Sequence, residues 1–354
     1  MVINILIGIL FIVVFYSVIK RSFLFPGAGI DNFMTKESTG SIKGFAIIMI
    51  AFSHICQDEP EIHQILLGGG KTYRLLFSWG AVGVSVFFLL SGYGCFLSIN
   101  RAQNEIKWLC KHTFKLLCHF AVAYAMVIAS CSLVLGVRLT PKEIITSFFL
   151  LKMPGTTTWY LKIQLLFYVF LMIAIKISKK YSKILVTIFV FCYAFVVCFN
   201  MGLPDYWWKT SMCFAAGCCM AYCKDFIYMV SSRILARVVI SLCGVLSYLA
   251  IILDGRDGHF VFGVQLFSYV CLSFFIIIVW DWICNYNKIL YRVGVYSLDC
   301  YLIHVGVVDS IYLLRMNADF KTLLFMFMVF AGTVICYKIS EKCYGKIYRL
   351  VIGA

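Results

Sequence analysis

The chain has 354 residues, of which 62% are apolar and only 13% charged, where a soluble globular domain is roughly 45–50% apolar. At roughly 20 residues per crossing, that composition supplies about eleven membrane spans and leaves little for a soluble core. A secreted enzyme, a cytosolic domain, a disordered chain and a coiled coil are excluded, and the expected fold is an all-α, polytopic transmembrane helical bundle of about 10–11 spans.

Lys and Arg outnumber Asp and Glu by 31 to 16, a formal net charge of +15. Basic residues of membrane proteins collect in cytoplasmic loops, so this excess reads as a topology signal, and no nucleic-acid partner is expected. The 17 cysteines are scattered through apolar runs with no CxxC pair. They read as small hydrophobes, and neither a disulfide framework nor a metal site is expected.

In chain order, the run Val2 to Ile19 is followed at once by Lys20 and Arg21 and has neither the basic start nor the cleavage site of a secretory signal. Residues 1–41 therefore read as an additional N-terminal transmembrane helix, its start outside, plus a cytoplasmic connection. Further spans are expected at 42–57, 77–99, 116–135, 159–175, 184–201, 210–223, 235–253, 260–283, 293–314 and 322–340, each bounded by charge or by Gly and Pro. The connection 136–158 carries Pro141, Pro154, Gly155 and the apolar stretch Ile144 to Leu151, a pattern that suits a short helix on the membrane surface or re-entering it. Residues 341–354 read as a short cytoplasmic tail. This arrangement puts 21 of the 31 basic residues on the cytoplasmic side, which predicts a multi-pass protein of the cell membrane with its N-terminus outside and its C-terminus inside.

Ionisable residues inside an apolar span are costly and so are the first suspects for function. The clearest are Lys43 and His54 in one span and Asp299 and His304 in another. Lys43 and His54 are separated by about 16.5 Å of helical rise and project to nearly the same face. Lys43, near the cytoplasmic end, could meet a phosphate, and His54, deeper, could take a proton from a hydroxyl. The plainer alternative is a snorkelling lysine and a histidine satisfied by a neighbouring helix. Asp58, one turn after His54, could orient its ring, although with Glu59 and Glu61 it also reads as a solvated acidic loop. Ser85 lacks the glycine at 87 that a nucleophile elbow requires, and Gly70-Lys71-Thr72 lacks the glycine at 65 of a phosphate-binding loop.

The order of motifs resembles the acyltransferase family 3 of integral membrane proteins over about residues 40 to 340. Lys43 and His54 fit its basic residue, ten intervening residues and histidine, with Lys in place of the usual Arg. The segment from Gly83 to Tyr93, which includes Ser91, is similar to the family's G-V-x-x-F-F-x-x-S-G-F/Y. Lys111 and Lys115 stand where it usually has arginines, Trp159-Tyr160-Leu161 precedes a span with Tyr168, and Ser297 to His304, with Tyr301 between them, is similar to its S-x-x-x-Y-L-x-H. The domain reading is thus a membrane acyltransferase domain at 42–340. The resemblance implies transfer of an acyl group, most simply acetyl, from cytoplasmic acyl-CoA to a hydroxyl of a surface glycan or lipid-linked saccharide. Acyl-CoA would be a substrate, and no cofactor would be held permanently. His54 and Lys43 would be catalytic, Lys43, Lys111 and Lys115 would bind the donor, and Asp58, Ser91, Trp159, Tyr301 and His304 would support them. Buried Lys, His and Asp in a many-span bundle would equally suit a transporter or flippase for a lipid-linked glycan.

Overall fold

The computed structural model describes residues 34–58, 71–136, 139–153, 158–231, 233–253, 259–283, 286–312 and 318–351. The expected first helix at 2–19, most of the connection after it and the loop at 254–258 lie outside the described residues. Among the described residues there is no strand, and the fold is all-α. The bundle opens with α1 (Lys36–Asp58), α2 (Lys71–Asn100), α3 (Glu105–Leu135) and the short α4 (Pro141–Phe149). Next come α5 (Trp159–Ile177) and α6 (Ser182–Cys192), which continues as a π-helix over Tyr193–Phe199, and then α7 (Met212–Tyr222) and α8 (Lys224–Ser231). It closes with α9 (Ile234–Leu253), α10 (His259–Ile283), α11 (Lys288–Val295), α12 (Ser297–Tyr312) and α13 (Ala318–Val351). Six of these helices are long and apolar enough to cross a bilayer, which makes this a multi-pass membrane protein.

Local chemistry sets the helix ends. Asn104 caps α3 by accepting from the N–H groups of Ile106 and Lys107, and Gly136 closes it in the left-handed region at φ 63°. At α4, the Thr140 hydroxyl accepts from the Glu143 N–H while the Glu143 carboxylate accepts from the Thr140 N–H and hydroxyl. That capping box holds the Glu143 carboxyl below the usual carboxylate range, first through the backbone bond and then through the hydroxyl. A helix therefore forms in the connection where a surface or re-entrant one is expected, with no buried residue of its own.

Several boundaries differ from expectation, and three of the differences have a local cause. α1 starts at Lys36 and not at 42, because the Thr35 hydroxyl accepts from the Ser38 N–H and so opens the helix earlier. The span expected at 293–314 is two helices: Asn287 caps α11 through the N–H groups of Ile289 and Leu290, and the chain turns at Tyr296 before α12 begins. The last span does not end at 340: α13 runs on to Val351, with Glu341 tied to α3 by a 2.6 Å ion pair with Lys115.

Between helices in lipid there is little hydrophobic drive, so close packing of small residues decides which helices touch. α1 lies against α11 and α2, and α2 lies against α7. A Cβ added at Gly44 would collide with the Leu290 carbonyl, and one at Gly294 with the Gly40 carbonyl. The α2–α7 crossing uses the same device, Gly92 against the Phe214 backbone and Gly217 against the Leu89 carbonyl. These contacts assemble a large apolar core from α1, α2, α5, α6, α7 and α10 and a second from α3, α5 and α12. Tyr168 and Tyr301 pack against both cores, and a cavity opens at that seam.

Candidate active site

The cavity has a volume of about 170 Å³ and is walled by several helices. α1 contributes Lys43 and Ile50, α2 contributes Val84, Phe87 and Ser91, and α3 contributes Leu116. α5 presents Tyr160, Gln164 and Tyr168, one residue per turn along a single stripe, and α12 presents Ser297, Leu298 and Tyr301 at its first turns. Lys43 is half-buried, set between the close α1–α11 contact at Gly44 and the cavity itself. The Gly44 crossing is what holds the start of α1 beside the start of α12.

Tyr160 and Tyr301 lie with ring centroids 5.1 Å apart, and Tyr301 is in turn 5.6 Å from the His304 ring. Beyond them His54 and His304 face each other at 5.1 Å, their planes inclined by 60°. His54 is thus not on the cavity wall; it lies one aromatic layer further along, half-buried, while His304 is fully buried. The His304 Nδ1 is 3.0 Å from the Cys300 carbonyl. A carbonyl can only accept, so Nδ1 carries the proton and Nε2 is left as a lone pair, buried and without a hydrogen-bond partner among the described residues. Ser91 lies 3.9 Å from Cys95 and stands on the cavity wall with Tyr301. Trp159 packs beside Tyr160 and against Phe88 and Tyr206.

The structure brings Lys43, Ser91 and Tyr301 to one cavity and His54 to His304, but it does not bring Lys111 and Lys115 there. Lys115 is paired with Glu341, and Lys111 and Lys115 sit over the rings of Tyr348 and Tyr344 at 5.8 and 5.5 Å. Asp299 faces away from His304 and accepts from His119 Nδ1 at 2.8 Å, while His119 Nε2 lies 3.4 Å from Glu341. The side chain of Asp58 lies outside the described residues. Ser85 is spent on packing: its hydroxyl donates to the Val82 carbonyl and accepts from Ser273, each at 2.7 Å.

His119 and Gln164 are buried polar residues that none of the motifs includes. His119 sits inside an expected span and was detectable by the same cost argument that singled out His54. Gln164 carries no charge and gives no such signal, yet it is 2% exposed and neither its oxygen nor its nitrogen has a hydrogen-bond partner among the described residues.

Compared with known proteins, the chain has no match among curated proteins or solved structures. A family model described as an acyltransferase domain matches residues 40–340, from the start of α1 to within α13. That match spans every helix that walls the cavity and both histidines, so the chain belongs to the acyltransferase family 3 of membrane proteins.

Proposed function

We propose that this family member is an O-acyltransferase that takes an acyl group, most simply acetyl, from cytoplasmic acyl-CoA and delivers it to a hydroxyl of an extracytoplasmic or lipid-linked glycan. The observation that carries this reading is an order of groups: Lys43 on the cavity wall, then the Tyr160–Tyr301 pair, then His54 against His304. A cationic group at one end suits a phosphate-bearing donor, and an imidazole further in suits a hydroxyl acceptor. In this mechanism the acceptor oxygen attacks the thioester carbonyl while His54 takes the hydroxyl proton. The carbon–sulfur bond breaks as the carbon–oxygen bond forms, and the thiolate leaves with the proton that His54 returns. Lys111 and Lys115, engaged by α13 outside the cavity, form an outer basic patch for the donor's phosphates. The topology that goes with this reading keeps the N-terminus outside and the C-terminus in the cytoplasm.

The test is acyl transfer by purified protein in detergent, supplied with acetyl-CoA and lipid-linked saccharides, scoring free thiol and acylated product together. Detergent abolishes the two compartments that a transporter or flippase needs, so turnover there separates the two classes. Mass spectrometry of surface glycans from a deletion strain supplies the acceptor: loss of one acyl mass is expected, and an unchanged glycan profile would count against the proposal.

A further inference from the structure

Gln164 is the cavity's unanswered polar group. Its carboxamide offers two donor hydrogens and an acceptor oxygen, all buried and without a partner among the described residues, although burying an amide without hydrogen bonds is a net cost to the fold. It projects from the stripe of α5 that includes Tyr160 and Tyr168, and much of the remaining wall is apolar, as at Ile50, Val84 and Phe87. A sugar ring, with a hydroxyl on nearly every carbon, would strand most of its polar groups against such a wall. A chain of methylenes interrupted by amides would not. We propose that Gln164 marks a subsite for a secondary amide, and that its occupant is the amide-bearing alkyl arm joining the thioester of the donor to its phosphates. Lys43, on the same wall, then lies toward the phosphate end of that arm. This inference rests on the acyl-transfer reading for the source of the amide. The other source of the same chemistry is the acetamido group of an N-acetylated sugar acceptor.

The experiment uses the full chain in lipid nanodiscs and measures binding, not turnover. S-Acetyl-N-acetylcysteamine is compared with 2-(acetylthio)ethyl acetate, in which an ester oxygen replaces the amide N–H, and N-acetylglucosamine is compared with glucose. The unmodified protein should bind the amide thioester ~10-fold more tightly than the ester, the scale expected when a buried acceptor loses its donor. Gln164→Met, of matching length and shape, should bind the two thioesters alike. Because the first comparison needs no variant, a poorly folding Gln164→Met leaves the test intact. A preference confined to the sugar pair would assign the subsite to an acetamido acceptor and overturn the donor-arm assignment. No amide preference in either pair would overturn the subsite. Turnover without amide preference would sink this inference alone, and amide preference without turnover would sink the acyl-transfer reading and with it the donor-arm assignment, leaving the amide subsite.

Discussion

His54 and His304 lie close enough to be mistaken for equivalent groups, yet their surroundings give them different work. The proton of His304 is held on Nδ1 by the Cys300 carbonyl and its ring is fully buried, so it is oriented but shielded. His54 is the more accessible of the two and is the base in the proposed transfer, with His304 as the residue that positions it. His54→Ala should cost at least ~10²-fold in turnover with donor binding preserved, the lower end for general-base catalysis. His304→Gln should cost less and displace the pH profile of kcat, which a purely structural role would leave in place. If His54→Ala turned over normally and His304→Ala did not, the roles would be reversed. Lys43→Ala should raise the KM for acetyl-CoA more than that for the acceptor, and Lys43→Arg should be tolerated, because a guanidinium keeps the charge and adds a planar fork for phosphate. Lys43 and His54 were legible in the sequence because charge inside an apolar span is conspicuous. The partner of Asp299 was not, since His119 lies 180 positions away and only the folded bundle brings the two together.

At the scale of helices, the crossing of α1 and α11 decides where Lys43 points. Gly44 and Gly294 meet facing backbone with no room for a methyl group, whereas Gly94 has open space at the same position. Gly294→Ala should lower thermal stability in detergent by about 1–3 kcal/mol, the usual cost of overpacking, and weaken donor binding with it. Gly94→Ala is the control and should be neutral or slightly stabilising, because alanine is the better helix former. A second element-scale expectation follows from the ion pair joining α3 to α13. Lys115→Gln and Glu341→Gln should each lower the melting temperature, and the double variant should fall by less than their sum, as for any directly coupled pair. Additive losses would show that the two charges act separately. The helices themselves were legible from apolar runs and their polar boundaries. The break at Tyr296 was not, because Asn287 and Lys288 read as part of the connection before a span, and only the folded chain shows Asn287 capping a separate short helix. The continuation of α13 was hidden for another reason: its last turns are polar, and pairing with α3 gives them a place to pack.

For the molecule as a whole, side-chain contacts sort the helix ends into two groups independently of any charge count. Ser41 accepts from the Asn287 N–H, Trp108 donates to Ser98 at 2.8 Å, and Lys115 pairs with Glu341, which ties the start of α1 to that of α11, the end of α2 to the start of α3, and α3 to α13. At the opposite end of the bundle Tyr124 donates to the Ile144 carbonyl at 2.7 Å, and Trp159 packs on Tyr206. The sequence expectation assigns the first group to the cytoplasm and the second to the outside. Which group faces the cytoplasm then depends on the 21 of 31 basic residues assigned to the first. Lys180, exposed between α5 and α6, is among the basic residues expected on that side. Lys180→Cys should resist a membrane-impermeant thiol reagent in intact cells and react once the membrane is opened, whereas Asp257→Cys should react from outside. The native cysteines set a background that the unmodified protein measures. Labelling of Lys180→Cys from outside would invert the whole bundle. Lys43 would then face away from cytoplasmic acyl-CoA, and the donor would have to enter from the side of the membrane where the glycan is.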